Sequence, residues 1–152
     1  MIDLMGEYRH KVDAKGRLSL PAKFRKALST ESEAEAAAPV ELVITIDPSD
    51  ECLYVFEPEG FNEWVASFFE KDGGFDARSK KHTAVRRKLK SRAREVEVDG
   101  AGRINLSAGQ RESVGIAKDV VLVGNTGYFE IWDAQKWDES YEDVDLESML
   151  FD

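Results

Sequence analysis

Two segments of this chain repeat one pattern of charged residues around a glycine, and the pattern suits the binding of an anion or a base edge. Residues 13–25 and 99–111 match at a constant offset of 86. Each contains an arginine directly after the glycine, and a guanidinium offers two parallel N–H donors that fit a phosphate or the edge of a guanine. The matched positions are Asp13/Asp99, Gly16/Gly102, Arg17/Arg103, Leu20/Leu106 and Arg25/Arg111.

A tight turn accounts for the aspartate and the glycine of each segment, but it does not account for the arginine. An aspartate can accept hydrogen bonds from backbone N–H groups two residues on, and glycine tolerates a positive φ. Arg17 and Arg103 could therefore contact nucleic acid, or each could pair with the aspartate of its own repeat and hold the loop. The surroundings favour nucleic acid for Arg17, whereas for Arg103 both roles stay open.

The surroundings of the two copies differ in charge. The second copy has Ala101 where the first has Lys15, and its preceding strand, residues 95–99, is acidic. We therefore expect the first hairpin to read nucleic acid and the second to act as a scaffold. The basic residues that crowd the first copy are Arg9, His10, Lys11, Lys15 and Arg17.

The net charge of −9 hides a strong segregation along the chain. Residues 1–28 carry seven Lys or Arg against three acids, and residues 77–103 carry ten against three. Residues 29–76 carry one against thirteen, and residues 133–152 carry one against eight. Because the local field depends on where charge lies, the sum is a poor guide to the partner.

Each copy is predicted to contain a strand, a turn, a strand, a short helix, a hairpin and a closing helix. Turn residues and alternation predict these elements, and the helices are expected to start at Pro21 and Ser107. The second closing helix, around Trp137, should run into a frayed acidic tail. The predicted strands are 4–12, 17–20, 40–46 and 52–56 in the first copy, and 95–99, 120–124 and 128–132 in the second.

Three units follow from this order. Residues 1–76 form the first repeat with its closing helix, residues 77–94 a basic connecting helix, and residues 95–152 the second repeat with its closing helix and tail. An acidic, Ala-rich insert near residues 31–38 interrupts the first repeat and is expected to be exposed.

The basic segment 79–94 is predicted to be a helix whose only apolar stripe is Val85, Leu89 and Ala93. Its charges could form a solvated face or pack against acidic neighbours. They could also contact phosphates directly. Candidate acidic neighbours are Glu63, Glu70 and Glu139.

The residues that could form a catalytic, cofactor or metal site are too few and too far apart in the sequence. Cys52 is the only cysteine, His10 and His82 are isolated, and no cluster has the spacing of metal ligands. No nucleophile or phosphate-binding motif occurs in its required context. We therefore expect no enzyme, no cofactor, no metal and no small-molecule substrate. No run is long and apolar enough for a membrane span, so a cytoplasmic protein is expected.

The duplicated motif, followed each time by a short helix and a hairpin, resembles the MraZ family of bacterial proteins with tandem SpoVT-AbrB-type half-domains. The resemblance runs from about Tyr8 to about Trp137. It includes the two glycine-arginine segments, Val121-Leu-Val-Gly and Phe129-Glu-Ile-Trp-Asp.

The resemblance implies a mainly β fold with short helices (α+β). It would be a swapped-hairpin, AbrB-like β-barrel with a pseudo-two-fold axis, built from two βαββ-type repeats with flanking helices. It further implies a ring-shaped homo-oligomer, such as an octamer or dodecamer, that binds double-stranded DNA at the nucleoid. Members regulate transcription, commonly repressing their own division and cell-wall operon through repeated G-rich promoter boxes. The family's DNA contacts map to Lys15 and Arg17, with Arg9 and Lys11 alongside.

One alternative stays open beside the DNA-binding function. The same barrel could serve as a non-enzymatic protein-interaction module, antitoxin-like or a scaffold, with the acidic surface as its interface. Such a module would bind its partner in a salt-insensitive way and would not shift DNA.

Overall fold

The computed structural model describes residues 2–31 and 39–151, so most of the predicted acidic insert lies outside the described residues. The chain alternates short strands and helices in two similar series. In chain order the elements are β1 (Glu7–Lys11), β2 (Arg17–Ser19), α1 (Ala22–Glu31), β3 (Glu41–Ile46), β4 (Leu53–Phe56), α2 (Pro58–Ser67), a 3-10 turn (Glu70–Asp72), α3 (Lys80–Ser91), β5 (Arg94–Glu97), β6 (Arg103–Asn105), α4 (Ala108–Ser113), β7 (Asp119–Gly124), β8 (Tyr128–Asp133), α5 (Ala134–Glu142) and α6 (Leu146–Phe151).

The main sheet is antiparallel, has six strands and runs in the order β1-β7-β8-β4-β3-β5. Exchanging each strand for its counterpart in the other repeat (β1 for β5, β3 for β7, β4 for β8) leaves this order unchanged. At the centre, Leu53 lies opposite Ile131 and Val55 opposite Phe129. These two pairs are each other's counterparts at an offset of 76, as a pseudo-two-fold axis between β4 and β8 requires.

The strands β2 and β6 form a separate two-stranded sheet, here called the β2–β6 ribbon. Each comes from a different repeat, so neither repeat completes this sheet alone. The expected pairing of β1 with β2 as a hairpin is therefore wrong. A turn links the two strands, but β1 pairs with β7 and β2 pairs with β6, both in the second repeat. The ribbon pairs Arg17 with Asn105, Leu18 with Ile104 and Ser19 with Arg103.

Both repeats contribute to one hydrophobic core between the ribbon, the main sheet and the helix α1. The Phe24 side chain of α1 packs its ring 5.3 Å from that of Tyr8 and 5.1 Å from that of Phe129. Both predicted helix starts are confirmed: α1 begins after Pro21, and the Ser107 hydroxyl accepts the Gln110 N–H at 3.2 Å. The most deeply buried members are Leu18, Phe24, Leu28, Leu42, Ile44, Leu53, Val55, Ile104, Leu106, Leu122, Phe129 and Ile131.

The two closing helices occupy equivalent places but are covered differently. α2 packs on β3 and β4, and α5 packs on β7 and β8. Under α2, Phe61, Val65 and Phe69 form a second apolar cluster, to which Leu89 of α3 and Ala93 just after it contribute. Val85 stays exposed, which corrects its place in the predicted stripe.

The end of the chain also differs from expectation, because the segment predicted as a frayed tail contains the helix α6. The predicted mainly β fold with short helices is confirmed, with strands exchanged between two repeats in one chain. Within the described residues the main sheet keeps two edges, β1 and β5, rather than closing on itself. No helix among residues 2–31 and 39–151 is long and apolar enough to cross a membrane.

The turn before β2 gives a stability prediction. Gly16 has φ +84°, and a Cβ added there would lie 2.7 Å from the backbone oxygen of Leu106. We expect Gly16→Ala to lower the free energy of unfolding by about 1–3 kcal/mol, since both the conformation and the contact are unfavourable for an L side chain. Urea denaturation followed by circular dichroism measures the change.

Gly109→Ala is the matched control, because a Cβ on Gly109 in α4 has no neighbour within 4 Å. Alanine is the better helix former, so this variant should be as stable as the original chain or up to about 1 kcal/mol more stable. Equal stability of the two alanine variants would contradict the assigned role of Gly16.

Candidate nucleic-acid interface

The first turn is organised by the carboxylate of Asp13. Its Oδ1 accepts the backbone N–H groups of Lys15 and Arg17, both at 2.9 Å. Its Oδ2 accepts the Nε–H of Arg17 at 2.7 Å. The backbone N–H of Arg17, helped by its guanidinium and by the N–H of Lys15, lowers the pKa of Asp13 below its usual value. The loop therefore depends on an ionised aspartate.

The second turn has the same bonds. Asp99 accepts the N–H groups of Ala101 and Arg103 at 2.9 Å each, and the Nε–H of Arg103 at 3.0 Å. The backbone N–H of Arg103 is the first cause of the lowered pKa of Asp99. Pairing with the aspartate, left open from the sequence, thus occurs in both repeats.

The ion pair with the aspartate orients each arginine but leaves its two terminal nitrogens available. In both loops the carboxylate takes only the Nε–H, and no other described residue hydrogen-bonds the two terminal nitrogens of Arg17 or Arg103. Their side chains stay 37% and 35% exposed. A guanidinium held in this way keeps donors directed at solvent, so loop holding and nucleic-acid contact are compatible roles.

Each loop is contacted by the arginine at the last matched position of the opposite repeat, Arg25 or Arg111. The Nη1 of Arg25 donates to the carbonyl of Ala101 at 3.2 Å, next to Gly102. In the other half, the Nε of Arg111 donates to the carbonyl of Leu106 at 3.2 Å and its side chain lies against Gly16. These two arginines were not predicted as site residues, although their place among the five matched positions was a signal for a role.

The ribbon brings Arg17 and Arg103 onto one face. Leu18 and Ile104 point into the core, so the alternating neighbours point outward. Arg17 lies opposite Asn105 and therefore diagonally from Arg103, a relation that places Cα atoms roughly 7–8 Å apart. The Nδ2 of Asn105 also donates to the carbonyl of Lys15 at 3.1 Å. The exposed face thus carries two guanidinium groups, with Lys15 exposed beside them.

The structure separates the basic residues of β1 from this face. Arg9 donates to both carboxylate oxygens of Asp138 in α5, at 2.6 and 3.4 Å, and to Glu7 at 3.2 Å. The hydrogen bond to Asp138 is the first cause that raises the pKa of Arg9. Trp137 completes the contact by donating its Nε1–H to Glu7 at 3.1 Å. Arg9 therefore ties β1 to the second closing helix.

The other two candidate residues of β1 lie on different faces of the strand. His10 is half-buried, and its Nδ1 donates to the carbonyl of Ser19 at 2.6 Å, which links β1 to the ribbon. Lys11 is exposed and shares the face of Arg9, because side chains alternate along a strand. The predicted basic cluster is thus divided between the ribbon and the α5 side of the sheet.

The basic helix α3 is anchored by a histidine that sequence reasoning treated as isolated. The Nδ1 of His82 accepts the backbone N–H of Asp76 at 3.0 Å, so its Nε2–H donates to Asp72 at 2.9 Å. The hydrogen bond from His82 is the first cause of the lowered pKa of Asp72. Among the described residues, Glu63, Glu70 and Glu139 form no ion pair with this helix.

Comparison with known proteins agrees with this architecture. A family model described as "MraZ protein, putative antitoxin-like" matches residues 4–73 and 89–150. The chain is 39% identical to a protein named transcriptional regulator MraZ from Symbiobacterium thermophilum, over 92% of this chain and 91% of the relative. Proteins of the same name from Natranaerobius thermophilus and Nitrosomonas eutropha are 34% and 37% identical, over 97% and 88% of this chain and 98% and 82% of their own lengths. These names describe regulators rather than enzymes, as expected from the sequence.

The lowered pKa of Asp13 predicts a pH-dependent effect of Asp13→Asn. A carboxyl whose pKa is lower in the folded chain stabilises it above the unfolded pKa of about 4, and this contribution is lost as the pH falls through the folded value. The variant should therefore unfold at a lower urea concentration than the original chain at pH 7. At about pH 3 the difference should narrow.

Asp119→Asn controls for the loss of one surface carboxylate, because no described residue hydrogen-bonds the Asp119 side chain. Urea midpoints at several pH values provide the comparison. A difference for Asp13→Asn that stays constant with pH would show that its carboxylate does not hold the turn.

Proposed function

The chain belongs to the MraZ family, and from this premise we propose that it is a sequence-specific DNA-binding regulator of transcription. It acts as a repressor of its own division and cell-wall operon. It binds repeated G-rich promoter boxes as a ring-shaped homo-oligomer, an octamer or dodecamer, at the nucleoid. The relatives' name supports the regulatory role, and the family resemblance supports the finer statements.

One observation carries the proposal: Arg17 and Arg103 lie on one exposed ribbon face, each oriented by an aspartate through its Nε. The major groove of DNA admits a two-stranded β-ribbon, and an arginine that offers two donors is the commonest specific partner of a guanine edge. A preference for G-rich boxes is the specificity that such a pair would have. Lys15 adds a charge suited to an adjacent phosphate.

The uneven distribution of charge along the chain supports contact with DNA at the ribbon face. Residues 1–28, which contain the first loop, carry an excess of Lys and Arg, whereas residues 29–76 are strongly acidic. Acidic surfaces repel DNA, so they restrict the orientations in which the chain approaches a duplex. The ribbon face thereby becomes the favoured point of contact.

Assembly of several copies would strengthen a contact that is small in one copy. A single ribbon carries only three residue pairs, so it reaches few bases. When boxes repeat at the spacing of the subunits, linked contacts can raise the affinity by roughly 10²–10⁴ over one contact. Repeated boxes and a homo-oligomer therefore belong to the same mechanism.

A gel shift with the duplex upstream of the protein's own gene tests the proposal. Arg17→Ala should weaken binding by about 5- to 150-fold, as expected when a guanidinium contact worth about 1–3 kcal/mol is lost. Arg103→Ala should weaken it less, because Ala101 and the acidic β5 flank the second loop. The affinity of the original chain should fall steeply with salt, since bound phosphates release counterions.

Arg78→Ala is the matched control, because Arg78 is 94% exposed and lies outside the ribbon. Asp138→Asn tests Arg9: if Arg9 contacts DNA, its release from Asp138 should tighten binding.

Unchanged binding by Arg17→Ala would contradict the assignment of Arg17 as a DNA contact. Absence of any shift by the original chain, together with salt-insensitive capture of a protein partner, would favour the antitoxin-like interaction module instead.

A further inference from the structure

The segments that contain the helices after the two closing helices carry opposite charge, although α6 itself holds only one acidic residue, Glu147. α3 follows α2, and α6 follows α5, so they occupy corresponding places in the two repeats. Residues 78–94 contain nine Lys or Arg and no acidic residue, whereas residues 138–152 contain seven acidic residues and no Lys or Arg. The pseudo-two-fold axis therefore relates a positive end of the molecule to a negative end.

The negative end presents an apolar surface that no part of the chain within residues 2–31 and 39–151 covers. Every residue of α6 is exposed, and Leu146, Leu150 and Phe151 are 66%, 67% and 81% exposed. Tyr141 at the end of α5 is 63% exposed. Contiguous exposed apolar side chains mark interaction sites, and an isolated helix of six residues is marginal in water. A partner surface is the natural source of its stability.

The positive end is anchored on one side and exposed on the other. His82, Leu89 and Ala93 fasten α3 to the cluster beneath α2. On the outer side Lys81, Val85 and Lys88 follow one helical stripe and are all exposed. Lysine and arginine stems can cover apolar groups while their charges stay in water, so this face suits an acidic helix with apolar residues.

The two ends of one chain lie on opposite sides of the main sheet's centre. α2 and α3 belong to the side of β3 and β4, and α5 belongs to the side of β7 and β8. In the described structure α6 leaves its apolar side chains exposed instead of reaching α3 of the same chain. If the complementary surface comes from another copy, the contact is head-to-tail.

We propose that α6 and the end of α5 of one copy dock on the exposed face of α3 of a second copy. Leu146, Leu150 and Phe151 lie over Val85 and the lysine stems, and the acidic residues of the tail pair with Lys81 and Lys88. The proposal rests on the self-association included in the proposed function, and it names the surfaces involved. Because the two patches differ, each copy can bind a neighbour on both ends.

Two double variants test the docking without disturbing the fold, since all four side chains are exposed. Lys81→Glu with Lys88→Glu reverses charge on α3, and Leu146→Ser with Leu150→Ser removes apolar groups from α6. Each variant alone should be a single chain of 17.1 kDa by sedimentation, whereas the original chain should be larger. Lys23→Glu with Lys118→Glu, the same charge change elsewhere, should keep the larger mass.

Mixing the two double variants gives the sharpest result. The first retains an intact α6 and the second an intact α3, so the mixture should form a species of two chains in equal amounts. About 1 M salt, where the screening length is about 3 Å, should weaken it. A mixture that stays monomeric, variants that keep the original mass, or an original chain that is itself monomeric would each overturn the proposal.

The measurement needs no DNA, so its failure leaves the DNA-binding part of the proposed function untouched. Variants that keep the original mass would overturn only the docking surfaces, whereas a monomeric original chain would overturn the proposed ring as well. The variant with Lys81→Glu and Lys88→Glu could instead keep the mass of the original assembly and lose DNA binding. That result would also overturn the docking, and it would assign α3 to contact with phosphates. Thermal unfolding of every variant, expected to match the original chain, verifies that a lost assembly is not a lost fold.

Discussion

The fold depends on the pairing of two three-residue strands that neither repeat can pair by itself. β2 meets β6 along the ribbon, and beneath it Leu18 and Ile104 are almost fully buried. Each strand enters the ribbon from a turn held by an ionised aspartate. Each turn contacts an arginine from the opposite repeat: Arg25 donates to the carbonyl of Ala101, and the Arg111 side chain lies against Gly16. The two repeats therefore stabilise each other, and the same contacts that close the core fix the direction of Arg17 and Arg103.

Duplication gave the two halves one geometry, and later sequence differences gave them different surfaces. The hydrogen bonds of the two turns match within a few tenths of an ångström. By contrast, Lys15 corresponds to Ala101, and the basic α3 corresponds to the apolar α6, which follows an acidic segment. Surface residues can diverge in this way because they do not change the packing that both repeats share. The pseudo-symmetric frame thereby supports one proposed DNA face and two unlike ends.

The sequence was sufficient to predict those parts of the structure that depend on local interactions. The turns at Gly16 and Gly102, the helix starts after Pro21 and Ser107, and the hairpin strands all follow from residues within a few positions of one another. The strand exchange was implied by the family resemblance rather than by the residue pattern. The partners of Arg9 and His82 could not be predicted, because Asp138 lies 129 positions from Arg9 and nothing in the spacing of Asp72 marks it. The nearness of Arg17 to Arg103 likewise depends on the register of the ribbon.

If the ribbon face meets DNA chiefly through the first loop, site-directed crosslinking will show this most directly. Cys52 is buried, and burial raises the pKa of its thiol, so an introduced cysteine would be the reactive one. A photo-crosslinker on Ala14→Cys, in the first loop, should join the protein to the upstream duplex. The same reagent on Ala101→Cys should react more weakly, and on Glu63→Cys not at all. Equal crosslinking from all three positions, or from Glu63→Cys alone, would contradict the account.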